Sequence, residues 1–540
     1  MAVFEIVIAL LLGGAALAAL ARRIGAPYPA LVALAGALLA LLPATPTLVL
    51  DPELALVLFV APVLLDAAFD ASLRDLRDNW RPVASLALGA VALTIVVVAV
   101  VARLLVPDMP WAAAIALGAI VAPPDAAAAT AVLKQLRPPY RLLVILEGES
   151  LFNDASALLV YRLAVGATIA GFVSGWAIVP LFLGVTVGSV VLGVVLAWLL
   201  AQLVVRIHDV ATAIVVQFCG TFAVWLLAER LHLSEILTTV VFAMTAARSA
   251  GAVTSARIRI PSYAVWEFAV FVLNVLAFIL VGFQLKPIVA RLGMGEALAY
   301  ARVAGLVCLA TILARIAWVT GAAAVSRWRR RPDADGRRSR RDMVALSPRA
   351  AVVVGWCGMR GTVTLATALA LPTATGDAPA FPYRDLILFT AFAVVLVTLV
   401  LQGLTLRPLL TRLELRDDGA VAREVQLARV ETLRAALEAA QGANGAETAA
   451  MVRQRYEILL RRAEAALAAR EGAADEGVEP LEPTSDDIAI LRNVAEAERR
   501  RLTELRANGT IGNVAFQRVE QELDFAELDL RLLVGEEDEG

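Results

Sequence analysis

Apolar residues run in long stretches through about the first three quarters of the chain, separated by short clusters of Arg, Lys, Pro and Gly. Most stretches reach the roughly 20 residues that a helix needs to cross about 30 Å of hydrocarbon. Breaking the runs at charged, Pro-rich or Gly-rich punctuation predicts about thirteen helices, near 3–22, 28–44, 50–69, 83–106, 110–133, 142–170, 176–205, 209–229, 233–250, 262–285, 296–325, 349–372 and 384–410. Beyond residue 412 the pattern turns to Ala, Glu, Arg and Leu, the mixture of solvated amphipathic helices. Helices are expected there near 420–441, 446–471, 486–508 and 513–534, with a linker around Gly472 to Pro483 and a turn at Asn508-Gly509-Thr510. The expected fold is an all-α polytopic membrane domain over 1–412 followed by a cytoplasmic helical tail over 413–540. A regulatory or dimer-assisting tail and a passive one are both compatible with these charges of mixed sign.

Composition sharpens this picture. The chain is 60% hydrophobic and 18% charged, where soluble proteins carry about a quarter charged residues. The mean hydropathy is +0.75, so the bilayer is the expected main solvent and lipid the expected surroundings. A formal net charge of −2 says little by itself, because the basic residues are concentrated in particular loops. Arg22 and Arg23; Arg74, Arg77 and Arg81; Lys134, Arg137 and Arg141; Arg206; Arg248, Arg257 and Arg259; and the run from Arg327 to Arg341 with Arg349 all follow odd-numbered helices. Only Arg103, Arg230, Lys286, Arg291, Arg302 and Arg384 lie on or beside the other side. By the positive-inside rule this asymmetry places the N-terminus outside and the tail in the cytoplasm of a cell (inner) membrane. The run 327–341 reads as a topology anchor, with anionic-lipid binding as the alternative. The first stretch begins acidic and carries its arginines after it, the reverse of a cleavable signal peptide. Cys219, Cys308 and Cys357 all fall inside apolar spans, which predicts packing rather than a disulfide or zinc site. No cofactor and no nucleic-acid partner is expected.

Ionisable groups inside membrane helices cost several kcal/mol each at mid-bilayer, so they mark function. The fifth helix contains Val121-Ala122-Pro123-Pro124-Asp125, where two prolines remove backbone donors and break the helix near its middle. Such a break is tolerated where it is buried in protein or lines a wet cavity. On the sixth helix Asp154 lies about thirteen residues beyond Arg141, roughly 20 Å at 1.5 Å per residue. Glu149, Ser150, Asn153 and Asp154 share an arc of roughly 140° on that helix. The eleventh helix carries Arg315, which needs an acidic partner, and the carboxylates of helix six are the source at hand. Three glycines surround Arg360 in Gly355-Trp356-Cys357-Gly358-Met359-Arg360-Gly361-Thr362, interrupting helix twelve. Breaks seven helices apart are what two inverted six-helix repeats produce, with a binding site where the breaks meet.

These residues resemble the monovalent cation/proton antiporter superfamily, in the branch of the NhaP-like and animal sodium/proton exchangers. The resemblance rests on Glu147-Gly148-Glu149-Ser150-Leu151-Phe152-Asn153-Asp154, on Gly358-Met359-Arg360-Gly361 and on the stretch from Asn274 to Gly282, and it covers the thirteen-helix region. It implies that Asp154 binds the ion and carries the proton, that Asn153 and Ser150 help to hold the site, and that Glu149 pairs with Arg315. It also implies a homodimer with a dimerisation part and a mobile core, and electroneutral exchange. The family usually has Thr-Asp in the fifth-helix break, whereas Pro124 precedes Asp125 here and offers no hydroxyl. Asp66 stands where a Glu is expected on helix three, and Asp66, Arg360 and Pro124 are accessory candidates. Arg162, Arg360 and Glu267 read rather as structural pairs or break stabilisers.

Hard monovalent cations prefer oxygen ligands, and Asp154, Ser150, Asn153 and the helix-five break with Asp125 offer them to sodium or lithium. Moving a bare carboxylate through a dry barrier is costly, so a core that turns only when a proton or a cation neutralises Asp154 would exchange one for the other. Potassium is the rival cation, since ligand type does not fix cavity size. An ion channel, or a sensor of the same fold signalling through the tail, is the rival class. Gly148-Glu149-Ser150 is not a hydrolase nucleophile elbow, and no nucleophile and base constellation points to an enzyme. His208 and His232 lie at loop edges, away from these groups.

Overall fold

The computed structural model describes residues 2–40, 42, 54, 56–136, 138–170, 175–254, 256–283, 286, 294–328, 347–373, 380–415, 417, 419–441, 447–471, 500 and 525. Single residues apart, the expected linker, the two later tail helices and nearly all of the basic run 327–341 lie outside them. The described chain is helical, and it divides into two compact units, Met1–Asp418 and Gly419–Gly540.

The first unit contains α1 (Ala2–Ile24), α2 (Tyr28–Ala40), α3 (Ala61–Asp70) and α4 (Trp80–Leu105). Next come the half-helices α5a (Trp111–Val121) and α5b (Ala126–Leu136), then α6 (Tyr140–Ala170), α7 (Gly175–Val205), α8 (Val210–Arg230) and α9 (Glu235–Val253). They are followed by α10 (Ala256–Phe283), α11 (Met294–Trp328), the half-helices α12a (Pro348–Trp356) and α12b (Thr362–Leu369), and α13 (Arg384–Leu413). Seven spans among these have the length and apolarity to cross a membrane: Val7–Ile24, Trp80–Leu105, Leu183–Val205, Val210–Arg230, Ile258–Leu280, Gly295–Ser326 and Arg384–Leu413.

Helix ends follow local chemistry. Asp209 accepts the backbone N–H of Thr212 at 2.8 Å to open α8. Ser347 accepts that of Ala350 at 3.1 Å ahead of Pro348, whose missing N–H is no loss in a first turn. Arg103 closes α4 by donating to the Met109 carbonyl at 2.6 Å. Sequence reasoning started α10 at residue 262, after Pro261, but the helix begins at Ala256 and keeps Pro261 inside it. Pro261 is the sixth residue of the helix, so it forfeits one intrahelical bond and only the first turn lies ahead of its ring. Two π-helical turns, Leu56–Val60 ahead of α3 and Ser85–Ala90 within α4, had no counterpart in the apolar pattern. Cys308 and Cys357 are buried as packing groups, whereas Cys219 is exposed on α8, which presents an apolar outer face to its surroundings.

The units α4–α6 and α11–α13 repeat one plan, a broken helix between two continuous ones. Their apolar cores lie on either side of the breaks. One joins α2, α5b, α6, α10, α12a and α13. The other joins α4, α5a, α6, α11 and α13. A third cluster packs α3 with α8 and α9. By contrast Leu183, Val187, Val191 and Trp198 stand more than half exposed along α7, the surface of a helix that meets hydrocarbon rather than water. In the second unit, α14 (Ala420–Gln441) and α15 (Glu447–Glu471) pack together, with Arg434 bridging Glu431 on its own helix and Glu464 on the other, both at 2.9 Å.

Candidate ion site at the helix crossing

Prolines at 123 and 124 end α5a and leave four residues unwound before α5b, while Cys357 to Gly361 separate α12a from α12b. The two breaks lie against each other: the backbone N–H of Asp125 donates to the Met359 carbonyl at 2.7 Å. This approach needs glycine. A Cβ on Gly361 would overlap the Asp125 carboxylate, and one on Gly358 would lie 2.6 Å from Arg315 Cδ. Asp125 immediately precedes α5b and its carboxylate packs on Gly361 at the start of α12b, so it sits at the positive ends of two half-helices.

The negative ends are matched by arginine. Arg360 is 1% exposed; its Nε donates to the Val121 carbonyl at 2.8 Å and its Nη2 to that of Ala122 at 3.1 Å, at the C-terminus of α5a. Its remaining nitrogen meets the Gly358 carbonyl, and its backbone N–H donates to Thr398 Oγ1 on α13 at 3.0 Å. Arg315 does the same for α12a, donating from Nη2 to the Val354 carbonyl at 3.1 Å. Its two terminal nitrogens also grip the two carboxylate oxygens of Glu149, the second at 2.8 Å, in a pair with both members at most 2% exposed. One side chain thereby ties α6, α11 and α12a together.

Asn153 is completely buried and donates from Nδ2 to the Pro124 carbonyl at 3.0 Å, while its Oδ1 has no hydrogen-bond partner. The residue without a hydroxyl in the fifth-helix break therefore enters through its carbonyl. Asp154 follows, 8% exposed, and no donor reaches its carboxylate among the described residues; the charge that acts on it is that of Asp125. Ser150 is half-buried on the same helix. Two carboxylates, an orphan amide oxygen and unwound backbone are brought together here, a set of hard oxygens suited to a monovalent cation.

Asp66 is placed elsewhere, on the wall of a separate cavity of about 140 Å³ lined also by Asp70, Gln217 and Arg259. Arg162 pairs with Glu235 at 2.7 Å, joining α6 to α9, and Glu267 is exposed on α10. His208 and His232 stand at the two ends of α8, in its flanking loops. Among the described residues no group of three or more His, Cys, Asp or Glu could hold a resident metal ion. Sequence reasoning missed Tyr28, which packs its ring on Phe271 at the start of α2 and lies near enough to Asp125 for that charge to act on it. A tyrosine at a helix start carries no charge to single it out. Thr398 was missed for the same reason.

Comparison with known proteins places this geometry in a family. The model of the transmembrane sodium/hydrogen exchanger family matches residues 6–412. An uncharacterized sodium/proton exchanger of Mycobacterium tuberculosis is 30% identical over 521 residues, covering 94% of this chain and 92% of that protein. The sodium, potassium, lithium and rubidium/proton antiporter of Bacillus subtilis is 31% identical over 399 residues, covering 71% of this chain and 58% of that protein. Among solved structures, the sodium/proton antiporter NhaP1 of Methanocaldococcus jannaschii superposes with a TM-score of 0.55 at 17% identity, covering 74% of this chain and 98% of that one, and so shares the fold. The chain is a multi-pass membrane protein that belongs to the transmembrane sodium/hydrogen exchanger family.

Proposed function

We propose that the protein exchanges sodium or lithium for protons, one for one, by alternating access, with cation and proton competing for Asp154. The observation that carries this reading is the charge arrangement at the crossing. Glu149 is matched by Arg315, Arg360 faces the carbonyl end of α5a, and Asp154, on which no donor acts among the described residues, is buried within reach of the Asp125 charge. Two like charges in a poorly solvated site favour the uptake of one positive charge, and either a proton or a cation supplies it. Asn153 Oδ1 and Ser150 are the neutral oxygens that complete the cation's shell, with Asp125 as a ligand or as the acid that holds the half-helix ends.

In this reading all thirteen helices of the first unit cross the bilayer, with the N-terminus outside and the tail in the cytoplasm, and the protein works as a homodimer. Potassium is the second reading. It is favoured by the similarity to the Bacillus subtilis antiporter, whose name includes potassium and rubidium.

The experiment is proton movement in everted membrane vesicles, with sodium, lithium and potassium added separately to wild type and Asp154→Asn. Alkalinisation by sodium or lithium that disappears in the variant is expected. Appreciable exchange by Asp154→Asn would remove it as the carrier, and a response to potassium alone would establish the second reading.

A further inference from the structure

A cavity of about 650 Å³ lies between α4 and α6 on one side and α7 and α9 on the other, and most of its lining is apolar. Phe152, Ala155, Ser156, Leu158, Leu159 and Arg162 form its α6 wall. At about 100° per residue these positions centre roughly 170° around the helix from Glu149, Ser150, Asn153 and Asp154, so the cavity stands behind the ion site and is separate from it. The facing wall runs along α9 from Ser234 to Met244, about 15 Å at 1.5 Å per residue. Trp80 and Leu88, each more than half exposed, form its lip on α4, so it is a groove open to whatever surrounds the helices. In a multi-pass membrane protein that is lipid, and an apolar groove takes up hydrocarbon in preference to water.

One end of the groove has a charge to offer. Among the described residues its charged lining consists of two arginines, with no carboxylate. Arg162, at the Ser234 end, is committed to Glu235 at 2.7 Å. Arg77 stands at the other end, on the short helix Leu73–Asp78, whose Leu76 Cδ2 would lie 2.6 Å from a Cβ on Gly148, about 21 Å before Arg162 along α6. Arg77 is exposed and has no acid paired to it among the described residues. Asp75, on the same short helix, is already held by Arg74 at 3.2 Å and by the Tyr140 hydroxyl at 3.0 Å. Beside Arg77 the Arg81 guanidinium lies over the Trp80 ring, 5.6 Å from its centroid, an aromatic and basic pair of the kind that marks a membrane–water interface. We propose that this groove binds an anionic phospholipid of the surrounding membrane: one acyl chain lies between α6 and α9, and the headgroup phosphate meets Arg77 beside Trp80. The chain supplies the fit, and the arginine selects the charge. Nothing in this site depends on which ion the crossing carries.

The test titrates delipidated full-length protein in detergent with dioleoyl phosphatidylglycerol and, in parallel, with dioleoyl phosphatidylcholine, which has the same chains and no net charge. Melting temperature and the lipid retained per chain in native mass spectrometry are read together. Saturable stabilisation is expected, tighter for the anionic lipid. Arg77→Gln should raise its half-saturating concentration about tenfold, the loss of one hydrogen bond to a charged group. Arg206→Gln, at an exposed arginine outside the groove, should leave it unchanged. Leu159→Trp fills the groove and should remove saturation for both lipids, and Arg77→Gln, which alters only an exposed side chain, decides the matter if that variant does not fold. Equal half-saturation for the two lipids, or for wild type and Arg77→Gln, would overturn the inference and leave only a general lipid coat. The same stabilisation by glycerophosphoglycerol, the headgroup without its chains, would also overturn it. No transport is measured here, so failure of the lipid site leaves the antiport reading standing, and loss of that reading leaves the lipid site standing.

Discussion

At the scale of the residue, the Glu149–Arg315 pair has the clearest energetic consequence. Removing one partner of a buried ion pair leaves an uncompensated charge and costs about 3–5 kcal/mol, while replacing both by apolar residues can be neutral. Glu149→Gln is therefore expected to melt well below wild type in detergent, and Glu149→Leu combined with Arg315→Leu to recover only part of that loss, because the Val354 carbonyl then loses its donor. Melting curves check this, and a double variant worse than the single one would contradict it. Asp125 gives a second expectation. Gly361→Ala drives a methyl group onto its carboxylate, so sodium affinity should fall while the fold persists, as measured by sodium-dependent stabilisation of the purified protein. These acids and arginines were legible in the sequence because a charge within an apolar run is conspicuous. Tyr28 was not, because it carries no charge and its place against Phe271 depends on the register of two helices more than two hundred residues apart.

At the scale of the element, the half-helices carry the design. A helix end buried without partners is unstable, and here each carbonyl end faces an arginine while both amide ends face Asp125. Arg360→Met leaves the Val121 and Ala122 carbonyls without their donors. The expected result is loss of exchange with faster proteolysis near the breaks, and Arg360→Lys restores less than half of the activity, since a single ammonium cannot span two carbonyls as the guanidinium fork does. Wild-type activity in Arg360→Met would show that the helix ends need no charge. The breaks themselves could be read from the chain, as prolines 123 and 124 and the glycines around 358 leave a helix few options. The π-helical turns and the early start of α10 could not, since tertiary packing decides whether a turn widens and whether Pro261 is absorbed.

At the scale of the whole molecule, every side chain of the crossing belongs to the unit Met1–Asp418. A chain ending at Asp418 should therefore keep the full-length KM for sodium, whatever the tail does to rate, and a shifted KM would show that the tail reaches the site. The one-for-one reading makes a second demand. Proteoliposomes turning over should build no membrane potential, and a potential-sensitive dye that responds to sodium would sink it. Charge balance follows from side chains on four separate helices, α6, α11 and the broken α5 and α12, so no local stretch of sequence states it.

The bridge between Arg162 and Glu235 has a different kind of consequence. It fastens α6, the helix of Asp154, to α9, and Arg162 is 49% exposed, so dissolved salt can screen it. In the alternating-access reading, α6 turning against α9 opens and closes this tie once per cycle, and brine bathing that end of the protein would loosen it. The ion carried as cargo would then also act as a lubricant, quickening the machine as the surroundings grow saltier, with no dedicated sensor.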